Sequence, residues 1–143
     1  MIVFDLDGTL SIVGDRVKYL QQNPKDWNAF YEACDEDKPN EPVCKIYKSL
    51  APTYKEAVGM IILTGRRESA REKTEDWLEY EGIHFDELIM RPDGDTRHDT
   101  ILKPELLGAG PDEVEMIFED RNSMVKKWRE LGYVCVQVAD GDF

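Results

Sequence analysis

Ile2-Val3-Phe4-Asp5-Leu6-Asp7-Gly8-Thr9 is the stretch whose reading decides the fold. A β-prone apolar run meets two carboxylates separated by one residue, followed by a glycine and a hydroxyl. A run with no polar alternation suits a strand covered on both faces, as in a parallel sheet. Polar side chains at its carboxyl end then fall where an open α/β sheet keeps its ligands.

The same grammar recurs along the chain. Met60-Ile61-Ile62-Leu63 runs into Thr64-Gly65-Arg66, Val114 to Phe118 runs into Glu119-Asp120, and Tyr133 to Val138 is a further apolar run. Helical patterns lie between these runs. From Asn40 or Glu41 to Ala51, Val43, Ile46, Tyr47 and Leu50 share one face, with Pro42 in the first turn and Pro52 as a stop. Glu68 to Glu81 carries Ala70, Trp77 and Leu78 and closes at Gly82; Asn122 caps a helix with Val125, Trp128 and Leu131 inward, closed by Gly132. Alternating strands and helices predict an α/β domain with a doubly wound parallel sheet and right-handed crossovers.

Ser11 to Pro39 interrupts the alternation, which predicts a short insertion at about residues 11–40 within one domain, 1–143. After Asn23-Pro24-Lys25, Trp27, Phe30, Tyr31 and Cys34 form an apolar stripe at helical spacing. It reads as core packing, with a base-stacking platform as the sharper alternative. Asp35 to Pro39 reads as a solvated loop.

The 143 residues carry 18 Lys plus Arg against 30 Asp plus Glu, a formal charge of −12 with pI near 4.6. Such a chain is a poor coat for duplex nucleic acid or an anionic membrane, although a local cationic pocket remains open to it. Cys34, Cys44 and Cys135 show no CxxC spacing, which predicts buried, reduced thiols and a cytoplasmic protein. No run approaches a membrane span, and with Met1 directly before the first strand no signal peptide is expected.

A DxD alone, or a TGR alone, is a solvated turn in most chains. Here Asp5 and Asp7, Thr64 and Arg66, and Glu119 and Asp120 all follow strand ends, with Lys103 between the second and third sets. Carboxylates converging on one crevice repel one another unless a cation sits among them, so a hard divalent ion, most simply Mg²⁺, is expected.

At these residues the sequence resembles the haloacid dehalogenase (HAD) superfamily of phosphotransferases over the whole chain. Its first motif is matched by Asp5-Leu6-Asp7-Gly8-Thr9, the second by Thr64, the third by Lys103 and the acidic fourth by Glu119-Asp120. It resembles more closely the 3′-phosphatase domain of phage-type polynucleotide kinase-phosphatases. That branch is matched by Arg16 eleven residues after Asp5, Arg66 in the TGR, Gly94 to Asp99 leading to Lys103, and the tail Val138 to Phe143. Glu119 stands where the branch has aspartate, and its place near the cation is left open.

The resemblance implies a Rossmann-like sheet with a small cap insertion and a set of roles. Asp5 would be the nucleophile forming an aspartyl-phosphate, and Asp7 the acid and then the base. Mg²⁺ would be held by the Asp5 and Asp120 carboxylates and the Asp7 carbonyl. Thr64, with Gly65 beside it, would bind a phosphoryl oxygen, and Lys103 would neutralise charge on the phosphoryl group and Asp5. Asp99 would orient Lys103, while Arg16 and Arg66 would give planar donors to substrate phosphates. His98 and Arg91 are minor candidates for substrate contact, and His84 reads as partly buried structure.

The expected function is removal of a 3′-phosphate from DNA or RNA ends. A small-molecule phosphatase such as a deoxyribonucleotidase is the alternative. A receiver-type signalling module is disfavoured because its phospho-acceptor follows the third strand, whereas here the DxD comes first. The short insertion favours an open site that admits a polymer. No GxxxxGK[ST] phosphate loop is present, so a kinase or ligase partner would be a separate protein.

Overall fold

The computed structural model describes residues 1–54 and 59–142. In chain order the first half contains β1 (Ile2–Phe4), β2 (Ser11–Ile12), α1 (Trp27–Glu32), β3 (Lys38–Pro39), α2 (Glu41–Tyr54) and β4 (Met60–Arg67). The second half contains α3 (Arg71–Tyr80), β5 (Glu87–Arg91), α4 (Asp99–Leu107), β6 (Met116–Arg121), α5 (Asn122–Glu130) and β7 (Cys135–Gly141).

The main sheet has the order β5-β4-β1-β6-β7, and every pairing in it is parallel. Ile2 pairs with Met60 on one side and Met116 on the other, so β1 is the centre. The strand order reverses beside β1, which opens a crevice past the carboxyl ends of β1 and β6. This is the α/β fold expected from the apolar runs.

Side-chain alternation along each strand feeds two cores. Ile2, Phe4, Met60, Ile62 and Phe118 pack with Tyr47 of α2 and Trp77 and Leu78 of α3. Val3, Ile61, Leu63 and Ile117 point the other way, to Leu107 of α4 and Met124, Val125 and Trp128 of α5. Both faces of β1 are therefore dry, which is why its sequence shows no polar alternation.

Several local expectations need correction. The strands run further than their apolar stretches, to Arg67, Arg121 and Gly141, because parallel neighbours continue to pair there. Pro52 lies inside α2 and does not stop it at Ala51; near a helix end, a proline removes one hydrogen bond without ending the turn. Ile46 and Leu131 are 44% and 40% exposed, not inward. Asn122 is the first residue of α5 and caps nothing; its Oδ1 accepts from Gln137 Nε2. His84 is exposed. Gly82 and Gly132, by contrast, take φ of 65° and 91° just past α3 and α5, as closing glycines should. Phe143, the last residue of the family-like tail, lies outside the described residues.

Residues 11–39 pack beside the sheet as the small β2-β3 pair, short 3₁₀ turns and α1. Asp26 begins α1 by accepting from the Ala29 amide. The 35–39 stretch is not a solvated loop, because Asp37 is buried and β3 pairs with β2.

Candidate active site

The end of β1 delivers Asp5, held by its amide donating to the Phe118 carbonyl at 2.9 Å. Lys103 Nζ, buried on α4, donates to Asp5 Oδ1 at 2.5 Å and to Glu119 Oε2 at 3.0 Å. Asp5, Glu119 and Asp120 each bring one carboxylate oxygen into a group spanning at most 4.8 Å. Thr9 Oγ1 donates to Asp120 Oδ1 at 3.2 Å. Gly8, with φ 94°, lets the turn close over this group, for a Cβ there would sit 2.2 Å from Asp120 Oδ2.

Three carboxylates share one lysine. Burial and then the Glu119 charge push the Asp5 carboxyl far above its usual range. Burial and then Asp5 push Asp120 up to about 6. Lys103 stays protonated, because the attraction of Asp5 and Glu119 outweighs the cost of its burial. A cluster of hard oxygen donors short of positive charge fits a divalent cation such as Mg²⁺.

Asp7 is treated differently. Its carboxylate accepts from Arg16 and from Arg66, whose Nη2 lies 2.6 Å away. Burial works to raise its pKa, but these guanidinium groups override burial and hold the carboxyl well below the ordinary range. Asp37 completes the group, accepting from Arg16 Nε at 2.7 Å, Arg66 Nη2 at 3.3 Å and Ser11 Oγ at 3.2 Å. Its carbonyl is fixed by Trp77 Nε1 at 2.8 Å. Two buried arginines thus face two carboxylates. Sequence reasoning misses Asp37, and only the arginines that meet it in space set it apart from its acidic neighbours.

A cavity of about 920 Å³ opens over Asp5, Asp7, Lys103, Glu119 and Asp120. Arg67, Arg91, Arg97 and Arg121 line it, whereas Arg16 and Arg66 lie behind Asp7 and not along the wall. Asp99 accepts from Arg91 and, at 2.7 Å, from Arg121 Nη1, so its hydrogen bonds orient two arginines, while its charge adds to those that keep Lys103 protonated. The Gly65 carbonyl accepts from Tyr31 Oη and Arg91 Nε, both at 3.1 Å. Thr64 is buried beside it, and its Oγ1 accepts from the Arg66 amide, leaving the hydroxyl proton to donate. His98 caps α4 at the cavity's edge. Sequence reasoning also passes over Arg67 and Arg121, and includes Arg97 only within the Gly94 to Asp99 stretch without a role; none gives a short-range signal of facing a common space.

The chain is a hydrolase of the haloacid dehalogenase class, a phosphatase. Residues 1–143 match the polynucleotide kinase PNKP phosphatase domain, and the chain belongs to that family.

A chain in the structure of the Pnkp1/Rnl/Hen1 RNA repair complex is 37% identical, with a TM-score of 0.80 over 99% of this chain and 43% of that one. A protein of Autographa californica nuclear polyhedrosis virus, named provisionally as a bifunctional polynucleotide kinase/RNA ligase, is 28% identical over 134 residues. That match covers 91% of this chain and 18% of the viral protein, so the chain spans less than half the length of either relative. The haloacid dehalogenase-like hydrolase SP0104 of Streptococcus pneumoniae shares the fold at 16% identity and a TM-score of 0.66, over 95% of this chain and 82% of that one. Among the described residues no helix is long and apolar enough to cross a membrane.

Proposed function

We propose that this domain removes the 3′-phosphate from DNA or RNA ends, using Mg²⁺ and an aspartyl-phosphate on Asp5. The observation that carries this reading is the cavity itself. In a chain of net charge −12, Lys25, Arg67, Arg91, Arg97, Lys103 and Arg121 line the space over the DxD pair together with six carboxylates, so this recess is charge-balanced where the molecule as a whole is acidic. Cations that balance the carboxylates here, in a molecule otherwise acidic, suit a short anionic chain end and not a long polyanion.

The Asp5 and Asp120 carboxylates with the Asp7 carbonyl would hold the Mg²⁺, Glu119 bracing Lys103 beside them. When bound, the ion supplies the charge neutralisation that lets an anionic nucleophile approach a phosphoryl dianion. Lys103, fixed 2.5 Å from Asp5, adds positive charge on the nucleophile's flank. Asp5 attacks phosphorus, the bond from phosphorus to the ribose oxygen breaks, and that oxygen takes a proton from Asp7. Water then attacks the same phosphorus, Asp7 accepts its proton, and the bond to Asp5 breaks to release inorganic phosphate.

The arginine pair suits Asp7 for the second of these steps, since an ionised carboxylate is the form that takes a proton. For the first, the phosphoryl dianion entering beside it offsets the arginines and raises its proton affinity. Thr64 donates its hydroxyl proton to a phosphoryl oxygen.

We read residues 11–39 as a small cap that leaves the site open to a polymer end. The relatives' names support a setting in nucleic-acid repair, with kinase and ligase activities supplied by other domains or proteins. Three buried thiols, unpaired among the described residues, suit a reducing compartment such as the cytoplasm.

The decisive assay compares a 3′-phosphorylated oligonucleotide, its 5′-phosphorylated counterpart and free nucleoside monophosphates, each with Mg²⁺. The 3′-phosphorylated oligomer should give the highest kcat/KM. Preference for free mononucleotides would overturn the polynucleotide reading in favour of a small-molecule phosphatase.

A further inference from the structure

The cavity has apolar lining as well as cationic lining, and the phosphoryl chemistry does not use it. Ile12 and Val17 contribute to it while 51% and 43% exposed, so apolar surface waits uncovered beside the reacting centre. α1 adds three aromatic rings, of which one is already engaged. Phe30 is buried, with the Arg16 guanidinium carbon 4.1 Å from its ring centroid. Trp27 and Tyr31 are half-buried and line the cavity, their centroids 6.0 Å apart and their planes within 26°.

Each of these two rings carries its own cation. Lys25 Nζ lies 5.8 Å from the Trp27 centroid, and the Arg67 guanidinium carbon lies 5.6 Å from that of Tyr31. Tyr31 is also tied to the Gly65 carbonyl, which fixes α1 relative to the Thr64–Arg66 part of β4. A flat aromatic surface with a cation at its side, set on the wall of a phosphoryl site, matches a nucleotide in chemistry: a planar base and an anionic backbone.

We infer that Trp27 is the platform on which the base of the 3′-terminal nucleotide stacks, with Tyr31 bracing it and Lys25 and Arg67 holding the adjoining phosphodiester. The inference deepens the polynucleotide reading and rests on it. Stacking tolerates any base, so the site reads the presence of a base and not its identity.

The test measures kcat/KM for two 3′-phosphorylated oligonucleotides, one with a normal terminal nucleotide and one whose terminal sugar is abasic. Wild-type protein should favour the base-bearing substrate, and Trp27→Ala should reduce that preference by about tenfold, mainly through KM, whereas Trp27→Phe should keep most of it. In EDTA, where turnover stops, the base-bearing oligonucleotide should quench tryptophan emission of the wild type and not of Trp27→Phe. Equal losses on both substrates in Trp27→Ala, or undiminished quenching in Trp27→Phe, would overturn the platform alone. Failure of the wild type to hydrolyse either oligonucleotide while it hydrolyses p-nitrophenyl phosphate would overturn the polynucleotide reading, and the platform with it.

Discussion

Arg66 Nη2 lies 2.6 Å from Asp7 Oδ1 across 59 residues of chain, joining the end of β4 to the turn after β1. Arg16 grips the same carboxylate from residues 11–39, and Asp37 faces both arginines. The four charges balance only as a set.

Removing one arginine should therefore disable Asp7 for every substrate. Arg16→Ala should lower kcat/KM by about a hundredfold, the scale of lost proton-transfer catalysis, on p-nitrophenyl phosphate and on an oligonucleotide alike. It should also cost about 3 kcal/mol of stability, because Asp37 is left buried with weaker pairing. Parallel kinetics on both substrates with thermal melts check this. A loss confined to the oligonucleotide would instead make Arg16 a reader of substrate phosphates.

Asp5→Asn should abolish turnover and leave the fold intact. The amide keeps the shape but is a poor nucleophile, and one charge is removed from a group in which Glu119 and Asp120 crowd a single lysine. Circular dichroism with a phosphatase assay decides it; a well-folded Asn variant with substantial activity would exclude the covalent route.

Asp120→Ala should raise the Mg²⁺ concentration for half-maximal rate by at least about tenfold, since a charged ligand is lost. Glu119→Gln should shift it less, because Glu119 Oε2 is engaged by Lys103 and its Oε1 accepts from the Asp120 and Arg121 amides. Mg²⁺ titrations of the two variants separate these roles, and equal shifts would make Glu119 a ligand in its own right.

Stability should depend on pH in a way that the cation reverses. The Asp120 carboxyl is raised from 3.8 to about 6, so the fold favours its protonated form. That contribution is complete below pH 3.8 and is lost as pH rises through about 6, an effect on the order of 3 kcal/mol. Asp5, raised by the same burial, acts in the same direction. Asp7 is shifted the other way and matters only below its ordinary range. In EDTA the Tm should therefore fall from pH 5 to pH 8, and Mg²⁺ should raise it more at pH 8 than at pH 5. Melts with and without Mg²⁺ test this.

The residues legible in the sequence are those whose chemistry is announced by their neighbours. Asp5, Asp7, Thr64 and Asp120 each close an apolar run, and in a parallel sheet the carboxyl ends of such runs all lie along one edge, so order along the chain already implies nearness in space. β5 gives no such signal because Glu87-Leu88-Ile89-Met90-Arg91 is short and bounded by charge, and α4 is hidden because Pro104 lies within it. Asp37 sits in Asp35-Glu36-Asp37, where letters alone do not tell a buried acid from its exposed neighbours. The arginines of the cavity wall are spread from residue 67 to residue 121 and meet only through the sheet's order. Asp99 stands out in the sequence for its spacing to Lys103, yet the same helix face also meets β5 and β6, and arginines from those strands take the carboxylate.

β1 lies at the middle of the sheet with parallel neighbours on both sides, whereas residues 11–39 are built from 3₁₀ turns, one short helix and a two-stranded ribbon. Elements of the second kind open at lower free energy than a central strand. The two kinds of element meet at Asp7. Residues 11–39 bring Arg16 and Asp37 to it together, a cation and an anion, so what they add to the local net charge is zero, while Arg66 holds the same carboxylate from the sheet.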